Sequence, residues 1–106
     1  MANEERTILD PFHNQVYLTD GICFHISKNA TEIYDDASMV IRKPAMMIEV
    51  HEGDVRYLYY FRSVDWHSTM LIAVHFNNER WETFQCEKNP TNETLSALLK
   101  KGRQLV

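Results

Sequence analysis

Glycine and proline are scarce, three of each in 106 residues, so the chain has little material for flexible linkers or low-complexity tails. Two cysteines, Cys23 and Cys86, stand far apart with no Cys-x-x-Cys, which removes the usual zinc-knuckle and dithiol redox motifs. No stretch approaches the roughly 18 consecutive apolar residues that span a bilayer. The longest apolar run, Met70-Leu71-Ile72-Ala73-Val74, has the length of a strand. Positive charge is also short: 11 Lys and Arg against 15 Asp and Glu give a net charge of −4, a poor basis for neutralising phosphates non-specifically. The opening Met-Ala-Asn-Glu-Glu-Arg has no apolar core of a signal peptide behind it. A cytoplasmic protein with reduced thiols and no membrane partner is the expectation.

What is present suits one ordinary core. Apolar residues make up 44% of the chain, charged residues 25% and aromatics 11%. Residues 1–15 are polar, carry Pro11, and read as an N-terminal arm; residues 16–106 read as a single α+β domain.

Along that domain the periodicity changes several times. Val16-Tyr17-Leu18-Thr19 is a short β-type run. Thr19 or Asp20 can cap a helix over Gly21–Asn29, with Ile33 in reach of the same stripe as Ile22 and Ile26. Asp35 and Asp36 offer a second N-cap before Ala37, Val40 and Ile41, and Pro44 stops that helix after Arg42 and Lys43. Met46, Ile48 and Val50 then alternate with Met47, Glu49 and His51, a strand pattern. Glu52-Gly53-Asp54 turns the chain into an aromatic-rich strand, Arg56–Arg62. Ser63–Ser68 reads as a connection to Thr69–Phe76, the most apolar strand and so the expected centre of the sheet. Asn77-Asn78 makes a turn into a strand over Glu79–Cys86. Leu95, Leu98 and Leu99 form the stripe of a final helix, with Gly102 placed for a left-handed cap. The order β-α-α-β-β-β-β-α predicts an antiparallel sheet of about four to five strands with helices packed on one face. The other face would then be open to solvent or a ligand.

The chemistry-bearing residues form no ready motif. The histidines His13, His25, His51, His67 and His75 include no i, i+4 pair on a helix and no grouping at metal-ligand spacing, so neither a metal nor a cofactor is expected. Gly-rich phosphate loops and Gly-x-Ser-x-Gly elbows are absent. Alternation puts Glu49 with His51, and Arg56 with Tyr60 and Arg62, on shared strand faces, with His75 on the face of β-residues Leu71 and Ala73. A favourable register could bring His, Arg, Tyr and Thr83 to one open face. Histidine transfers protons near neutral pH and arginine grips a phosphate bidentately, as metal-free RNA cleavage requires. The plainer alternative pairs Arg56 and Arg62 with Glu49 and Glu82 on a solvated face. Tyr57, Tyr59 and Tyr60 likewise read either as base-stacking rings or as cross-strand packing.

The order of these segments resembles the phage-associated proteins of the barnase, colicin and RelE-like nuclease superfamily. The resemblance rests on Val16-Tyr17-Leu18-Thr19 followed by Phe24-His25-Ile26, on Val40-Ile41-Arg42-Lys43-Pro44, on the Tyr- and Arg-rich Arg56–Arg62, and on Leu71–Phe76. It covers about residues 15–102 and implies an α+β fold and metal-independent RNA cleavage, as a toxin or mobile-element cargo. His25 matches the helix histidine, Arg56 or Arg62 the phosphate-holding arginine, and Thr83 the hydroxyl residue of the last strand. Members carry a second histidine where this chain has Lys28-Asn29-Ala30, and a Thr-x-Tyr-like strand where it has Thr83-Phe84-Gln85-Cys86. The loss of a proton-transfer partner costs roughly 10²–10⁴ in rate. The expectation is therefore a non-catalytic or weakly active relative that acts through a protein partner or by self-association. The alternative is an active endoribonuclease using His25 or His75, Arg56 or Arg62, and Thr83.

Overall fold

The computed structural model describes residues 6–18, 30–77 and 79–106. Its strands are β1 (Arg6–Leu9), β2 (Gln15–Leu18), β3 (Met46–Glu52), β4 (Val55–Ser63), β5 (Thr69–Asn77), β6 (Arg80–Lys88) and β7 (Arg103–Gln104). Two helices accompany them among the described residues: α1 (Ala30–Arg42) and α2 (Asn92–Lys101). All seven strands form one sheet in the order β1-β2-β6-β5-β4-β3-β7. The β2–β6 pair is parallel, with Val16 opposite Trp81, and every other pair is antiparallel.

β5 sits at the centre, and its five residues Met70–Val74 are buried on both sides. Both sheet faces are covered, and among the described residues each carries one helix. Ala37, Val40 and Ile41 of α1 pack on Met47, Leu58, Tyr60, Met70, Ile72 and Val74. Ile8, Val16 and Leu18 of the β1–β2 hairpin extend that layer. On the opposite face, Leu95 and Leu98 of α2 pack against Ile48, Val50, Phe61 and Leu71. Successive strand residues thus feed two different cores, as a period of two requires.

These observations correct the antiparallel four-to-five-strand sheet with helices on one face. The sheet has seven strands and mixed direction, and its helices lie on opposite faces. Residues 6–9, read as part of an arm, form β1. It pairs with β2 because Asp10-Pro11-Phe12-His13-Asn14 is turn chemistry: the Asp10 carboxylate accepts from the Phe12 and Asn14 amides at 2.8 and 2.9 Å. The backbone stays helical through Asp35 and Asp36, so neither starts a helix. The helix read over Gly21–Asn29, with His25, Cys23 and the Thr19 or Asp20 cap, lies outside the described residues.

Gly102 is extended (φ −120°, ψ −171°) rather than left-handed. Its reason is close approach: a Cβ there would collide with the Glu49 carbonyl oxygen and with the side chains of Ile48 and Val50. Missing that atom, the chain passes from α2 straight into β7 against β3. Gly53 does occupy the left-handed region, at φ 62°, in the β3–β4 turn.

Candidate functional site

At the end of the sheet where β4 hands over to β5, the chain makes a short turn through Val64, Asp65, Trp66, His67 and Ser68. The Asp65 carboxylate folds back and accepts the His67 amide at 2.8 Å, while the Val64 amide donates to the Ser68 carbonyl at 2.9 Å. This is an Asx-type turn, the conformation that a short acidic side chain favours. Its base is tied down as well: the Thr69 amide donates to Asn89 Oδ1 at 2.9 Å, and the Asn89 amide to the Thr69 carbonyl at 2.7 Å. The His67 amide, with further hydrogen bonds from Ser68 and the nearby Lys88 charge, holds the Asp65 carboxyl below its usual range against the opposing effect of burial. The turn therefore carries a fixed negative charge at neutral pH.

On this turn Trp66 is 96% exposed. An indole offers 150–250 Å² of mostly apolar surface, so the position leaves one of the chain's largest apolar groups in water. The other tryptophan, Trp81, is buried against Phe76 in edge-to-face contact, ring centroids 5.1 Å apart.

Beside the turn lies a cleft of about 300 Å³. It is lined by Ser63 and Thr69, the two stems of the turn, by Ala45, Met46 and Phe61, and by Pro90 and Leu95. Its polar lining comes from Arg62, from Thr91, which precedes α2, and from Asn92, the first residue of α2. Thr91 caps that helix by accepting the Thr94 amide at 3.2 Å. The Arg62 guanidinium donates through Nη1 to the Lys43 carbonyl at 2.7 Å, and its buried Nε has no hydrogen-bond partner.

The residues singled out for RNA chemistry are distributed otherwise. His25 lies outside the described residues. Arg56, Arg62 and Thr83 fall on the α1 face of the sheet, whereas His75 falls on the α2 face, its ring 5.0 Å from Phe84. Arg56 pairs with Glu49 at 3.3 Å and lies over the Trp81 ring at 5.1 Å. Thr83 is buried and donates from Oγ1 to the Tyr17 carbonyl at 3.2 Å. Arg62 serves the end of α1, as above, and Glu82 takes Arg80 at 2.8 Å as its partner. Tyr60 is buried toward α1, while Tyr57 and Tyr59 stack on the opposite face with centroids 6.3 Å apart. Tyr57 meets Phe84 edge to face. Phe84 reaches that face through a bulge, because Gln85 pairs with Ala73 and Thr83 with Val74, leaving Phe84 between them.

A second polar group gathers around Glu49, with Arg103 at 3.1 Å, Arg56 at 3.3 Å and His51 at 3.4 Å. Burial alone would raise this carboxyl, but hydrogen bonds from Arg56 and His51 and the charges of His51 and Arg103 leave it lowered. Among the described residues no group of three or more His, Cys, Asp and Glu is placed to hold a metal ion. No helix among them is long and apolar enough to cross a membrane.

Reading Ser63–Ser68 as a plain connection missed Trp66. The signal was local: an aromatic residue inside Asp65-Trp66-His67-Ser68, where flanking side chains are turn formers that fix an outward residue. No known protein family, curated protein or solved structure matches the chain.

Proposed function

We propose that this protein is a protein-interaction module without catalysis of its own, and that Trp66 is its principal anchor. The observation that carries this reading is the combination of a 96% exposed indole with a hydrogen-bonded turn that holds it there. A side chain displayed on a pre-ordered loop loses little conformational entropy when a partner covers it, and tryptophan is among the residues that dominate protein interfaces. The apolar cleft next to the turn and the net charge of −4 fit a protein partner better than a polyphosphate. Ribonuclease chemistry gathers less support, since His75 stands across the sheet from Arg56, Arg62 and Thr83, and two of those three are engaged in holding the fold.

The test is parallel capture from cell extract with the wild-type chain and Trp66→Ala as baits. The reading expects proteins retained by the first and lost by the second. Equal retention by both baits would contradict it.

A further inference from the structure

We infer that the Trp66 turn and the neighbouring cleft are the two halves of one self-complementary contact, through which two copies of this chain pair about a twofold axis. The inference rests on the interaction reading above and names the partner.

Three observations lead to a second copy. The first is adjacency. Ser63 and Thr69 are the stems of the Trp66 turn and also line the cleft, so knob and hole share one end of the molecule. The exposure of Trp66 means that it does not enter its own cleft. A twofold axis between two such ends carries each indole into the other copy's hole. The contact closes on itself, as an isologous interface must.

The second is charge. Asp65, beside the indole, carries the negative charge of the turn. The lining of the cleft includes Arg62 and the start of α2, the positive end of a ten-residue helix. Glu93, in the same helical turn, does not line the cleft. Inserting one copy's Trp66 would bring its Asp65 to the positive lining of the other copy's cleft, and the reciprocal contact repeats the match.

The third is area. Two indoles supply about 300–500 Å² of apolar surface. Leu99, one helical turn beyond Leu95 and 41% exposed, extends the patch along α2. A stable interface buries at least about 1,200 Å² in total, and the indoles alone fall short of that, so the pair belongs among weak, transient contacts. Association in the micromolar range or weaker is the expectation, reversible on dilution.

The experiment is sedimentation velocity on the full chain from micromolar to near-millimolar concentration, with two variants. Trp66→Ala removes the knob at an exposed position, and Ala45→Arg blocks the hole, also at an exposed position. Wild type is expected to move from monomer to dimer, with each variant raising the dissociation constant at least about tenfold. Mixing the variants regenerates one intact knob-and-hole contact, so the labelled mixture should associate more tightly than either variant alone. A wild-type monomer throughout, or a dimer that neither variant weakens, overturns the inference. If Trp66-dependent capture of other proteins survives that result, only the choice of partner has failed. If capture is also lost, the interaction reading falls with it.

Discussion

The Tyr60 hydroxyl donates a 2.7 Å hydrogen bond to the Asp10 carboxylate, joining the middle of β4 to the β1–β2 turn across fifty residues of sequence. Asp10 is 4% exposed and also receives the Phe12 and Asn14 amides and the Asn14 side chain, so one carboxylate organises the hairpin and fastens it to the sheet. Tyr60→Phe should destabilise the protein by about 1–3 kcal/mol, because it leaves a buried charge short of one donor. Asp10→Ala should cost more, since it also releases the turn. Urea denaturation of both variants checks the order.

The same bond has a pH consequence. Burial, then the hydrogen bond to Asp10 and its charge, push the Tyr60 hydroxyl far above the ordinary value of 10.0. Burial and the Glu52 charge also raise Tyr59. A group whose folded value is raised contributes stability that is intact below the unfolded value and lost as pH rises past it. Alkaline unfolding should therefore set in above pH 10, and Tyr60→Phe should flatten that loss. A pH series of melting curves reads both.

The Glu49 cluster gives the opposite slope. Its carboxyl is lowered, so its contribution is fully present above the ordinary value of 4.5 and fades as pH falls through the lowered folded value. Glu49→Gln should cost stability at neutral pH, and the gap to wild type should close in acid. Matched urea titrations at neutral and acid pH measure that gap.

The two structural glycines separate two kinds of cost. Gly102→Ala drives a methyl into the Glu49 carbonyl, where backbone must yield, and should destabilise by about 1–3 kcal/mol or more. Gly53→Ala meets open space and suffers only its left-handed backbone, about 1–2 kcal/mol. The first should also loosen β7 from β3, visible as faster exchange of the Leu105 amide, which donates to the Met47 carbonyl at 2.7 Å; the second should leave exchange there unchanged.

Much of the fold is legible along the chain. Alternation in Met46–Val50, the aromatic richness of Arg56–Arg62 and the apolar run in β5 mark three strands, and β5 proves central. The leucine stripe marks α2. That same unbroken run Met70–Val74 also says that both faces of β5 are covered, which one layer of helices cannot do. β1 escapes because it is four residues long and separated from β2 by Pro11 and polar turn residues. The parallel β2–β6 pairing joins segments far apart in sequence, and no local pattern specifies it. The candidate site was hidden for a related reason. Trp66 has no periodic neighbours to classify it, and only the turn around it reveals that its exposure is built in.

The most direct test of the account is the tryptophan emission of a Trp81→Phe chain, in which Trp66 is the sole indole and a phenyl ring still fills the place against Phe76. In dilute solution the spectrum should be that of a fully hydrated indole, and it should move to shorter wavelength as the chain is concentrated or a captured protein is added. An indole already shielded in the dilute monomer, or one that stays hydrated under every condition, would contradict the claim that Trp66 is the anchor of a protein interface.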